Sequence, residues 1–177
     1  MQPTTQTQLS FNFESIPALP TSLERSFEQR MISRQSLQCY VDSWIGPTDR
    51  SRRDDNPCVY VFRVPGMSSI KVGATQHPVC RRQTLRHQWR GDAPGDMIHV
   101  EPVSLLRRAF GAEKLAHRIL SKHRSPIAGQ IEWFDAPASL IINVVVLAVG
   151  LIESSENTLT IEEIYKIASV SSVITII

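Results

Sequence analysis

The longest apolar run in the chain, Leu140 to Ile152, is 13 residues long and is interrupted by Asn143. A bilayer-spanning helix needs about 20 apolar residues, so the run predicts a buried helix and no membrane partner. Its bounds are set by Pro137 before it and by Gly150, a C-cap residue, near its end. Such a helix needs a packed core around it, and the composition supplies one. Hydrophobic residues make up 42% and charged residues 20% of the 177, which excludes wholesale disorder and fits one domain with an appendage.

The compartment follows from what surrounds that core. Cys39, Cys58 and Cys80 are odd in number and lack paired spacing. This argues against a disulfide framework and a zinc ribbon, and for a reducing compartment. The opening Met1 to Ser10 is polar, with neither a basic nor an apolar signal region. A cytoplasmic protein is expected, or a nuclear one if the source is eukaryotic.

The net charge of +2 conceals an asymmetry. Residues 1–50 carry 4 Lys+Arg against 5 Asp+Glu; residues 51–134 carry 14 against 7; residues 135–177 carry 1 against 5. A +7 block between two acidic flanks points to a polyanionic partner for the middle of the chain.

Local patterns place the elements. Residues 1–21 read as a flexible, Thr/Gln/Pro-rich arm, and residues 22–56 as a helical extension, Ser22 to about Ile45, followed by a charged linker bearing Arg50, Arg52 and Arg53. Cys58–Arg63 is a β-branched and aromatic strand. Pro65-Gly66 turns it into a second short strand, Ser69–Gly73, giving a hairpin. Pro78 opens a helix to about Gln88, Met97–Val103 is a third strand, and Ser104 is placed to cap a long helix to about Lys122. After Ile131–Phe134 and the buried helix, Thr160 and Glu163 form a capping box for a last helix to about Ala168. The fold class expected is α+β: a small, three-stranded, mixed or antiparallel sheet flanked by helices. Residues 151–177 form a C-terminal helix and apolar tail. That tail and the N-terminal helix offer surfaces for a homodimer or a protein partner.

On the long helix, at about 100° per residue, Arg107, Lys114, Arg118 and Lys122 share one stripe. Leu106, Phe110, Ala116 and Leu120 occupy an apolar arc, and Glu113 and His117, four residues apart, fall inside it. A carboxylate facing the core must be paired or hold a metal. Two readings stay open on periodicity alone: an ion pair with an arginine such as Arg81, or a functional site. For His117 the bland reading is a satisfied core histidine.

Val59-Tyr60-Val61 and Lys71-Val72-Gly73 resemble the two tripeptides of the GIY-YIG nuclease superfamily, with Lys71 eleven residues after Tyr60. Arg81, ten residues past Lys71, stands where that family carries a helix-borne arginine, and Ala112–His117 resembles its glutamate helix. Gly129–Phe134 is similar to the G-x-x-E-W-F segment of a phage-associated branch, whose second tripeptide begins with lysine. The resemblance covers about residues 57–150. Val59 replaces the first glycine, and the late asparagine of other branches has no counterpart, Asn143 reading as structural.

The resemblance implies a metal-dependent DNA endonuclease; a silent nuclease-like module that binds DNA or protein is the alternative. It implies that Glu113 binds one Mg²⁺ or Mn²⁺, a hard cation that keeps several waters. Arg81 clamps a phosphate oxygen. Tyr60 orients or activates the attacking water, with Lys71 lowering its pKa. His117 orients Glu113 or contacts the scissile phosphate. Arg82, Arg86 and Arg90, with Lys114, Arg118 and Lys122, would track the DNA backbone. Glu132-Trp133-Phe134 reads as structural, with Trp133 as a base-stacking platform the sharper option.

Overall fold

The computed structural model describes residues 33–43, 55–89, 93–126, 131–154 and 159–170. The expected arm, the linker arginines, Arg90 and the apolar tail lie outside them.

The run Cys58–Arg63 forms β1 and Ile70–Thr75 forms β2. They pair antiparallel, Tyr60 opposite Gly73 and Phe62 opposite Lys71. The turn between them is set by Pro65 and by Gly66, whose φ of 82° suits glycine, with the Met67 N–H donating to the Val64 carbonyl. Asp96–Pro102 forms β3, antiparallel to β1 on its other side. Trp133–Phe134 forms a short β4 against Ile70 and Lys71. The sheet is therefore four-stranded and antiparallel, in the order β3-β1-β2-β4, one strand more than expected. The fourth strand has two residues, too few to carry a periodic signal.

Helices cover both faces. Residues 33–43 form α1 and Pro78–Gln88 forms α2. Leu37 and Val41 of α1 and Val79 and Leu85 of α2 pack on Tyr60 and Phe62. The opposite face, with Val59, Val61 and Val72, is covered by α3 (Leu106–Ile119), α4 (Ala138–Ser154) and α5 (Ile161–Val170). The apolar run is the centre of α4. It is buried on nearly every side because α3, α5, β1 and β3 surround it. Asn143 sits in it by donating to the Ala168 carbonyl of α5 at 3.0 Å. Among the described residues, no helix is long and apolar enough to cross a membrane.

Three local expectations change. Gly150 does not close α4, which runs on to Ser154 because Leu151 continues the buried face. Ser104 does not cap α3: its N–H and hydroxyl both donate to Glu153 at 3.0 Å, leaving Leu105 at the cap position. Phe110 is 45% exposed, and the buried seam of α3 is instead Ala109, Ala112, Ala116 and Ile119. Small side chains let α3 lie close to the sheet and to α4. The Thr160–Glu163 capping box forms, each residue bonding the other's backbone N–H.

Candidate active site

β2 has an edge that β4 covers only in part. The N–H groups of Val72 and Ala74 point the same way, because alternate residues of a strand present their polar groups to the same side. Val72 donates to the Glu132 carbonyl just before β4. Beyond that point α3 takes over. The Ala74 N–H donates to Glu113 Oε1 at 3.2 Å, and His117 Nε2 bonds the Val72 carbonyl at 3.1 Å. Glu113 and His117, one helical turn apart, thus meet two neighbouring polar groups on the same strand edge. A carbonyl only accepts, so His117 donates from Nε2. Burial lowers its pKa and keeps the ring neutral, and it packs 5.2 Å from the Phe134 ring. The expected contact of His117 with Glu113 is replaced by this anchoring of α3 to β2.

Tyr60, Lys71 and Gly73 share the sheet face under α2. The phenol lies across Gly73, where a Cβ would stand 2.4 Å from Tyr60 Oη. Glycine is required there to let the ring approach the strand. Arg81, in the first turn of α2, donates from Nε to Tyr60 Oη at 3.0 Å and lies 5.9 Å from the ring centroid. Burial pushes the Tyr60 phenol above its ordinary value, although Arg81 opposes this. Lys71 does not supply the expected shift toward phenolate. Its Nζ pairs with the Glu132 carboxylate, and Arg81 is the cation on the phenol. Burial, with Arg81 adding, lowers Lys71 to about 8, while the Glu113 carboxylate works the other way.

Glu113 reaches the site from the other face of the sheet. Burial pushes its carboxyl up, and the Ala74 N–H, Lys71 and Arg81 pull it back. Among the described residues no cation lies within ion-pair distance of it, so the direct Arg81 pair weighed above is absent. No cluster of three or more His, Cys, Asp or Glu side chains that could hold a metal occurs among the described residues. The donor set fits one hydrated, oxygen-seeking cation on a single carboxylate, not an all-protein cage.

A cleft of about 350 Å³ opens beside these groups, lined by Lys71, Arg81, Gln88, Trp89, Ile131 and Glu132 among others. Sequence reading missed Trp89 and Gln88, whose place depends on where α2 ends, and the pairing of Glu132 with Lys71. Trp133 is 3% exposed and cannot be a stacking platform.

The backbone-tracking cations divide. Arg82 is buried: it donates to both carboxylate oxygens of Asp96, at 2.6 and 2.9 Å, and to the Val41 carbonyl at 2.8 Å. It ties α2 to β3 and α1 and is not offered to solvent. Arg86 is half-buried, and Lys114, Arg118 and Lys122 are exposed, with Arg107, on the outer side of α3 and the turn after it. The acidic first turn of α5 packs with α3 and α4, across the sheet from Tyr60 and Arg81.

No curated protein and no solved structure matches the chain. Residues 57–149 match the T5orf172 domain, from just before β1 to within α4, and so contain every element that builds this site. The match spans more than half of the chain, and the protein therefore belongs to the T5orf172 domain family, a phage-associated, nuclease-like domain.

Proposed function

We propose that the protein is a metal-dependent DNA endonuclease with a GIY-YIG-type site. The observation that supports this most strongly is the meeting of four side chains from four elements around Gly73: Tyr60 from β1, Lys71 from β2, Arg81 from α2 and Glu113 from α3.

Phosphodiester hydrolysis needs an attacking water, neutralisation of the phosphate and stabilisation of the leaving oxygen. Arg81 and Lys71 line the cleft with positive charge, Arg81 as a fork fixed through Nε and Lys71 paired with Glu132. Tyr60, held neutral by burial, accepts from Arg81 and keeps its own proton to donate. Its role is orientation of the water or the phosphate oxygen, not proton abstraction. Glu113 is held by one oxygen and would hold Mg²⁺ or Mn²⁺ through the other. That ion, when bound, supplies Lewis-acid stabilisation of charge on the phosphate. The exposed Lys114, Arg118 and Lys122 add sequence-independent affinity for the backbone.

The test is cleavage of supercoiled plasmid with Mg²⁺ or Mn²⁺ by the wild-type protein and by Glu113→Gln. Wild-type cleavage that drops by about 10²–10³-fold in the variant supports the assignment. Equal cleavage by both removes Glu113 from the site. DNA binding without cleavage under either metal converts the reading to the silent module.

A further inference from the structure

The lining of the cleft is chemically mixed. It holds the cations Lys71 and Arg81, the Glu132 carboxylate paired with Lys71, and beside them Trp89, Ile131 and the Gln88 amide. Trp89 is partly exposed, yet its ring is fixed. It meets Trp133 edge-on at 5.0 Å, and Trp133 in turn meets Phe62 at 6.5 Å. Ile131, next to Glu132, is 64% exposed, the most exposed of the large apolar side chains described. A pre-positioned indole and an exposed aliphatic group share the cleft with Arg81 and with Lys71, whose ammonium also pairs with Glu132, a set that matches the base and phosphate of one nucleotide. Phosphate meets Arg81 and, in exchange with Glu132, Lys71; the base meets the indole, with the amide available to a base edge.

A base inside an intact duplex is stacked and paired and cannot enter such a cleft without being extruded. We infer that the cleft binds an unpaired nucleotide of a DNA strand next to the scissile phosphate, so that the substrate is DNA with a locally unpaired base and not continuous duplex. This rests on the nuclease reading above and adds a substrate class to it.

The test uses the full chain without divalent metal, so that binding is measured without turnover. The probes are equal-length DNAs carrying the fluorescent base 2-aminopurine: a matched duplex, a duplex with a single-base bulge and a single strand. The bulged and single-stranded probes are expected to bind about tenfold more tightly than the duplex, with 2-aminopurine fluorescence quenched on binding. Trp89→Ala should lose about tenfold on the bulged probe and leave duplex affinity unchanged, while Trp89→Phe keeps most of the preference. Ile131→Ala, an exposed change that leaves the core intact, should lose about two- to threefold on the bulged probe alone. Equal affinity for all three DNAs, or equal losses on bulge and duplex, overturns this inference and leaves the nuclease reading standing. Absence of binding to any DNA overturns both.

Discussion

On the α3–α4–α5 face the sheet meets valines, leucines and alanines, with the polar contacts Arg108–Glu153 and His123–Tyr165 at its rim. Along the edge strand β3, where α1 and α2 reach it, the apolar layers give way to charges. Arg34 of α1 donates to both oxygens of Glu101, which is 0% exposed and also meets His99 at 3.2 Å. Arg82 joins α2 to Asp96 and to the end of α1. The dry face carries stability with little geometric demand. The ion pairs at β3 fix where α1 and α2 sit, and with them Arg81. The candidate site draws on both helix layers, because Glu113 comes from the α3 side to the β2 edge while α2 brings Arg81.

The comparison breaks first at Glu101. Burial pushes its carboxyl up, but the His99 hydrogen bond and the Arg34 charge outweigh this and hold it below the usual range. Arg34→Ala leaves that carboxylate without its cation and should cost about 3–5 kcal/mol at neutral pH. A depressed folded-state pKa gives stability that is full above the unfolded carboxyl value, near 4.3, and is lost as pH falls through the folded value. The Arg34→Ala deficit should therefore shrink in acid. Leu147→Ala on the dry face should cost about 2–5 kcal/mol with no such pH dependence. Denaturant melts across pH check both, and parallel behaviour would erase the distinction.

Glu113 has the opposite sign. Its pKa is raised, so its ionised form costs folding free energy at neutral pH, a cost relieved as pH falls through the raised value. Glu113→Gln should lower cleavage by about 10²–10³-fold while raising the metal-free melting temperature. Loss of both activity and stability would mark it as a structural group.

Gly73→Ala pushes a methyl group into Tyr60 Oη and should cost about 1–3 kcal/mol, with reduced cleavage. Tyr60→Phe in that background should recover neither stability, by thermal melt, nor activity, because the added Cβ also stands 2.5 Å from Tyr60 Cζ.

Lys71, near 8, is a cation below that pH and neutral above it. Cleavage should fall several-fold on the alkaline side with a midpoint near pH 8, and Lys71→Gln should remove that limb from the pH–rate profile. The smallest effects belong to the outer face of α3. Lys114→Ala or Arg118→Ala should each weaken binding a few-fold and reduce the slope of log affinity against log salt by about 0.9.

How much of this the sequence disclosed follows the range of the interactions. The hairpin was legible because strand residues flank a Pro-Gly turn, and the Thr160–Glu163 cap because its partners are three residues apart. Tyr60, Lys71, Arg81 and Glu113 were named from motifs, but their connections were not. Arg81 and Arg82 are neighbours of one type, and only the roughly 100° between adjacent helical residues sends one to the phenol and the other to Asp96. Arg34 and Glu101 are 67 residues apart, and no periodicity links them. Phe110 fitted the apolar arc of α3 by angle, yet alanines occupy the contact because the neighbouring elements come too close for a large ring.

The central claim is that the β2 edge at Gly73 joins groups from both faces into one site. A double-mutant cycle on cleavage by Arg81→Ala and Glu113→Gln tests it most directly. Groups acting as a unit lose most of the activity at the first substitution, so the double variant should be about as slow as the slower single one. Losses that multiply would mean that Arg81 and Glu113 act independently, and would contradict a single shared site.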